Sequence, residues 1–264
     1  MPDTVNPANA DHPVSAPIDT VSFLGVDMAP LDMAGALAAV RNLAIQNKFS
    51  YVVTPNVDHF VNLYPETSGP RDQLFRDAYQ GAALTLCDSR VIHGLARLRG
   101  RKLSIVPGSD LTAGLFAHQL AAGDRVAIIG GDNDLLATLT TLFPNPEYVQ
   151  HIPPMGILSK PEAMNDIISF VANSQAHYIL FAIGAPQSEI IAHQCLKAGN
   201  CTGVGLCIGA SLEFITSMKK RAPNWMQKSG LEWAFRLLNE PTRLWRRYLV
   251  KGPRIFKIFM AHKG

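Results

Sequence analysis

Apolar runs recur along the chain at the length of buried strands, and most are followed by stretches with helical spacing. FSYVVTPN (49–56), DRVAIIGG (124–131), AHYILFAIGAP (176–186) and GVGLCIGAS (203–211) are such runs. Each is short, rich in β-branched or aromatic residues and ends in glycine or a small polar residue, as a strand covered on both faces does. LTLCDSRVIHGLARLRG (84–100) reads as strand, loop and helix. VSFLGVDMA (21–29) reads as a short strand pair, and PLDMAGALAAVRNLAIQ (30–46) as an amphipathic helix. VDHFVNLYPE and PRDQLFRDAYQGA add two helices, and further helices begin at Asn133 and Gln187. Strands alternating with helices predict an α/β fold: a Rossmann-like parallel sheet covered by helices. The pattern then changes. GLEWAFRLLNE, PTRLWRRYLV and PRIFKIFMA are three short amphipathic segments, with Pro241 and Pro253 at helix-starting positions. They predict a helical appendage rather than more sheet. The expected division is a polar, proline-rich disordered leader at 1–17, an α/β body at 18–218 and a basic helical appendage at 219–264.

Charge sharpens that division. From Lys219 onward lie 12 of the 24 Lys/Arg and 2 of the 21 Asp/Glu residues, so an acidic body precedes a basic tail. Such asymmetry points to a polyanion, either nucleic acid or an anionic lipid surface. The four cysteines form no CxxC pair, which fits a reducing compartment. No signal-peptide pattern and no run of about 20 apolar residues is present. The expected location is therefore the cytoplasm, with any membrane contact peripheral.

Candidate chemistry sits where strands run into loops, because ligands of open α/β sheets bind outside the strands' carboxyl ends. Thr54 and Asn56 end the first run; they either hold a ligand's hydroxyls or phosphate or cap a helix. Asp88, flanked by Arg90, is a candidate general base, or else the cap of a helix starting near Val91. Gly130 and Gly131 would let backbone N–H groups approach a phosphate at a helix N-terminus. Gly184, Gln187 and Ser188 open another helix, and Gln187 or Ser188 could bond a sugar or phosphate; Ser188 and Glu189 could equally be ordinary first-turn residues. GSDL (108–111) reads as a loop and helix cap. His59 and His93 lie near loops, without an HxH or HExxH pattern. No metal site and no DxD-like pair is legible, so metal need not be invoked, and no cofactor is expected. IIGGD lacks the third glycine of a dinucleotide fingerprint, which weighs against an oxidoreductase. Bulky aliphatic residues interleave with the tail arginines, and the body offers no aromatic platform, which weighs against a nucleic-acid partner.

Taken in order, TPN, CDSR, PGSDL, GG, PPMG, GAPQSE, GVG and above all RAPNWMQKSGLEWAFRLLNEPTRLWRRY (221–248) resemble the WecG/TagA/CpsF glycosyltransferases, glycosyltransferase family 26. The resemblance runs from about Val21 to Tyr248. It implies an inverting transfer from a nucleotide-sugar donor, with a UDP-sugar expected, to a polyprenyl-diphosphate-linked acceptor. It also implies a tail that closes the site and contacts the membrane's inner face. The family's base falls on Asp88, and its pocket Thr and Asn fall on Thr54 and Asn56. Arg243, Arg246, Arg247 and Arg254 are then expected to meet anionic headgroups or the acceptor diphosphate. Two departures stand out: Ile105 occupies a position where the family often has arginine, and PQSE replaces the common PKQE. They favour a hexose-adding branch like the xanthan-type GumM enzymes over the N-acetylmannosamine branch; N-acetylmannosaminyl or uronosyl transfer is the alternative within the family. Homo-oligomer formation stays open, and a regulatory nucleotide- or nucleic-acid-binding module remains the alternative of another class.

Overall fold

The computed structural model describes residues 18–262. The segment 1–17, read above as a leader, lies outside the described residues. A hairpin opens the fold: β1 (Val21–Phe23) pairs antiparallel with β2 (Val26–Met28). Its two turn residues, Leu24 and Gly25, both have positive φ, 47° and 66°, the twist that two-residue hairpins favour. Helix α1 (Met33–Ala44) follows, capped by Asp32, whose Oδ1 accepts the Gly35 N–H at 2.8 Å. It buries Ala36, Val40 and Ala44, the one-face spacing of its sequence. Then come β3 (Ser50–Val53), α2 (Val57–Leu63), α3 (Pro70–Gln80), β4 (Leu84–Thr85), α4 (Arg90–Leu98) and α5 (Gly108–His118). The second half runs β5 (Arg125–Gly130), α6 (Asn133–Leu142), β6 (Glu147–His151), α7 (Pro161–Ser174), β7 (Tyr178–Ala182), α8 (Gln187–Ala198), β8 (Val204–Cys207) and α9 (Ser211–Ile215).

Six strands form one parallel sheet in the order β4-β3-β8-β7-β5-β6, the expected Rossmann-like architecture. One face packs on α2, α3, α4, α7 and α8, the other on α1, α5, α6 and α9. From β5 the chain moves outward to β6 through α6; from β7 it moves the opposite way to β8 through α8, on the other face. The winding direction therefore reverses between β5 and β7, and a crevice opens at their carboxyl ends.

The tail is helical as expected: α10 (Asn224–Ser229), α11 (Glu232–Asn239), α12 (Pro241–Trp245), a π-helical turn over Arg246–Lys251, and α13 (Arg254–Ala261). It does not hang free. Ile255 and Ile258 enter the same core cluster as Phe23 and Phe60, and Leu244 is also buried. Each such side chain contributes about 1.5–3 kcal/mol by leaving water.

Candidate active site

Asp88 and Asn56 stand on neighbouring strand ends. The Asp88 N–H donates to the Pro55 carbonyl at 3.1 Å, which locks the β4 loop to the β3 loop. Asn56 caps α2: its Oδ1 accepts the Asp58 N–H at 3.0 Å. That leaves the NH₂ of its amide as the group available to bond the Asp88 carboxylate, beside which it lies. Burial pushes the Asp88 carboxyl up to about 7, and Glu232 adds to the rise; His59, Arg236 and the Asn56 amide pull it back. A carboxylate in that range is poised to accept a proton near neutral pH. Asp88 is not the cap of α4. Ser89 holds that position, its Oγ accepting the Ile92 N–H at 3.3 Å, so Asp88 is left for other work.

Thr54 completes this end of the site. An added Cβ on Gly108 would meet its Oγ1 at 2.7 Å, so the first turn of α5 lies directly against it. GSDL is thus not a loop and cap: it forms the start of α5, and Pro107 holds the cap position. Ile105 precedes Val106, whose N–H donates to the Cys87 carbonyl at 2.8 Å, which puts the departure from the family arginine next to Asp88. Arg236 of α11 also acts on Asp88, after His59, and its guanidinium sits 5.0 Å from the Phe214 ring centre.

The second group of expected residues lies across the sheet. Gly130 has φ 105°, and a Cβ there would meet the Ala182 carbonyl oxygen at 2.9 Å; Gly131 follows at φ 71°. Gln150 fixes this turn by donating to the carbonyls of Gly130 and Asp132 at 2.8 and 3.0 Å. Gly184 and Gly209 also have positive φ, 75° and 52°, with open space where a side chain would be. These glycines end β5, β7 and β8. Asp88 and Gly184 are three strand intervals apart, about 14 Å at the usual spacing. A ligand touching both must be extended over β3 and β8.

Three expected ligand contacts are placed otherwise. Ser188 is 1% exposed and donates to the Phe181 carbonyl at 3.1 Å, so its hydroxyl serves the α8–β7 junction. Arg90 is engaged by the tail: its Nε donates to the Gln227 carbonyl of α10 at 2.7 Å. Gln187 lines a side cavity of about 250 Å³ with Arg71, Gly156, Leu158 and Ser159. Another cavity, about 550 Å³, lies between the hairpin, α3 and β4 and is lined by none of the candidate residues.

Of the four expected tail arginines, Arg247 pairs with Asp58 at 3.2 Å and Arg254 with Glu66 at 3.2 Å, both in the body. Arg243 pairs with Glu240, and Arg246 lies over the Trp245 ring. Lys219 and Arg221 reach Glu213 and Asp110. Asp58 and Glu213 sit in first turns of helices that leave β3 and β8, and Asp110 sits in the first turn of α5, which lies against Thr54, so the tail folds over the site.

A polar cluster under Asp88 went unread in the sequence. His59 and Glu189 are 8% and 3% exposed, and the His59 Nε2 lies 3.4 Å from the Glu189 Oε1. The Tyr79 phenol is buried beside them; burial, then the carboxylates Glu189 and Asp88, hold it protonated. His59 was legible as the third residue of a capping box opened by Asn56. Its partner, 130 positions away, left no local signal. Among the described residues no group of three or more His, Cys, Asp or Glu side chains converges as a metal site. Nor is any described helix long and apolar enough to cross a membrane.

A buried carboxyl and a row of strand-end glycines, set along one end of a parallel sheet, give this α/β protein its candidate site. The Glycosyl transferase WecG/TagA/CpsF family matches residues 21–263, and the chain belongs to that family. It is a glycosyltransferase, of a family acting on polyprenyl-linked sugars with nucleotide-sugar donors.

Proposed function

We propose that this enzyme moves a hexose, with inversion, from a UDP-sugar to a polyprenyl-diphosphate-linked acceptor in exopolysaccharide or cell-surface glycan synthesis. The observation that carries the reading is Asp88, a carboxyl held near pH 7 at a strand end and backed by Asn56. In the reaction, Asp88 takes the proton of an acceptor hydroxyl as its oxygen attacks the anomeric carbon. The bond from that carbon to the donor diphosphate breaks on the opposite face, and the nucleoside diphosphate leaves with the electron pair. Thr54 and Asn56 orient the sugars. Backbone N–H groups at Gly130, Gly131 and Gly184, with the positive ends of α6 and α8, stabilise the departing diphosphate.

The tail supports a peripheral seat on the inner membrane face. Trp225, Leu238, Trp245, Leu249, Phe256 and Met260 are exposed, as are Arg246, Lys251 and Lys257. Each such cation contributes about 1 kcal/mol near an anionic surface. The test is a donor screen: UDP-glucose, UDP-N-acetylmannosamine and GDP-mannose with a polyprenyl-diphosphate-sugar acceptor, reading released nucleotide. Release from UDP-glucose above the others supports the reading; release from UDP-N-acetylmannosamine alone overturns the choice of hexose.

A further inference from the structure

The His59–Glu189 pair joins α2 to α8 beneath the candidate base, and stability alone does not account for it. The Glu189 Oε2 is buried with no hydrogen-bond partner among the described residues. A buried carboxylate in that state is costly, and an apolar pair of similar volume would join the helices at least as well. The geometry gives the pair a direction. The Asn56 N–H donates to the His59 Nδ1 at 3.0 Å, so Nδ1 presents a lone pair. The ring proton is then on Nε2, facing the Glu189 Oε1 at 3.4 Å. Phe75 stacks on the ring, its centroid 6.4 Å away and the planes 24° apart, and fixes its tilt. Glu189 thus selects the tautomer, the tautomer holds the Asn56 backbone, and Asn56 carries the amide that lies against Asp88.

We propose that His59 is a positioning residue for the Asp88 base, with Glu189 holding it in the required tautomer. This rests on reading Asp88 as the base. The titratable groups facing the assembly are Tyr51 of β3, His59 of α2, Tyr79 of α3, Cys87 beside Asp88, Glu189 of α8, Cys207 of β8, and Glu232 and Arg236 of α11; Asp58 nearby is paired with Arg247. His59 and the Asn56 amide both favour ionised Asp88, so removing the ring or loosening the amide raises the pH at which the base becomes available. His59→Gln keeps the bonds without the ring, and its failure to restore the midpoint would assign the shift to the ring's charge and overturn the positioning role.

The experiment measures kcat and kcat/KM against pH for wild type, His59→Phe, His59→Leu and His59→Gln, with Asp88→Asn as control. Phenylalanine keeps the stack on Phe75 and removes the acceptor. In either apolar variant the acidic midpoint of kcat/KM is expected to rise by about one pH unit and kcat to fall about tenfold, while donor KM stays within twofold. Glutamine at this helix position can accept the Asn56 N–H and donate to Glu189, so His59→Gln is expected to restore the wild-type midpoint. An unmoved midpoint and unchanged kcat in a folded apolar variant overturn the proposal. So does failure of both apolar variants to fold, which makes the pair purely structural. A fully active Asp88→Asn overturns the base reading itself; an inactive one with an unmoved His59→Phe midpoint overturns only the positioning role.

Discussion

Asp88→Asn should make the enzyme inactive and more stable together. In the unfolded chain an aspartate ionises near 3.8, whereas in the fold burial holds Asp88 up to about 7. As pH rises the unfolded state therefore loses this proton first. Stability from this group is fullest below pH 3.8, declines through the window up to about pH 7, and stays low above it. The gap of roughly three pH units corresponds to about 4 kcal/mol at pH 8. Asp88 keeps part of its surface, and water there lowers the realised figure toward about 2 kcal/mol. Asparagine has the same shape and no charge to desolvate. Urea denaturation should show Asp88→Asn gaining about 2–4 kcal/mol over wild type at pH 8, less than half of that at pH 5, and nothing near pH 3. Over the same range the wild-type kcat/KM should rise with pH to a plateau above about 7, as the base ionises. Transfer by the variant should fall by about 10²–10⁴. Equal stability of the two proteins at every pH would refute the claim that Asp88 is held in a desolvating site. Wild-type transfer by the variant would refute its role as base.

Gly130→Ala should destabilise by about 2 kcal/mol in urea titration, because it forces a side chain onto positive φ and against the Ala182 carbonyl. Transfer should persist in excess EDTA, since no described donor set converges on a metal; loss restored by Mg²⁺ or Mn²⁺ would refute this. Exchanging Arg246, Lys251 and Lys257 for glutamate should abolish flotation with anionic liposomes and leave thermal unfolding unchanged, because all three are exposed; equal flotation would remove the tail from membrane docking. Arg236→Ala should raise the acidic midpoint of kcat/KM, since this cation favours ionised Asp88; an unmoved midpoint would show that another group sets it.

The fold was legible wherever burial is two-sided. β3, β5, β7 and β8 are runs of apolar residues because helices cover both sheet faces, and each was recognisable as a strand. β6, Glu147–His151, was not: it is an edge strand, only partly buried, and EYVQH shows neither an apolar run nor clean alternation. The site was legible in part for the same kind of reason. Asp88, Thr54 and Asn56 follow strands directly, so their neighbourhood is set by chain direction alone. Arg90 and Ser188 follow strands too, but each is one step into a helix, where a single residue's rotation decides whether a side chain meets the crevice. Arg90 turned to α10 and Ser188 to the Phe181 carbonyl. His59, Glu189 and Arg236 meet at Asp88 through three different helices, and no local pattern encodes such a meeting.

The tail's two kinds of contact bear on why the α/β body carries such a segment. Its inward cations Lys219, Arg221 and Arg247 bind carboxylates at the starts of α9, α5 and α2, the helices that frame the strand ends. Its outward residues, Trp225, Trp245, Leu249 and Phe256 among them, leave bulky apolar surface exposed beside Arg246, Lys251 and Lys257. Surface of that kind on a water-soluble protein marks an interaction face. The ion pairs are exchangeable at modest cost, since partly exposed pairs contribute only about 0–1 kcal/mol each. The buried Ile255 and Ile258 contribute more and hold α13 to the body. The tail is thus hinged firmly at its end and loosely over the site. These outward residues lie on the segments that flank α11 in the chain, and α11 sets Glu232 and Arg236 against Asp88. On the proposed reading, in which Asp88 is the base and the outward face meets lipid, docking would bear on the ionisation of the base through this one short helix.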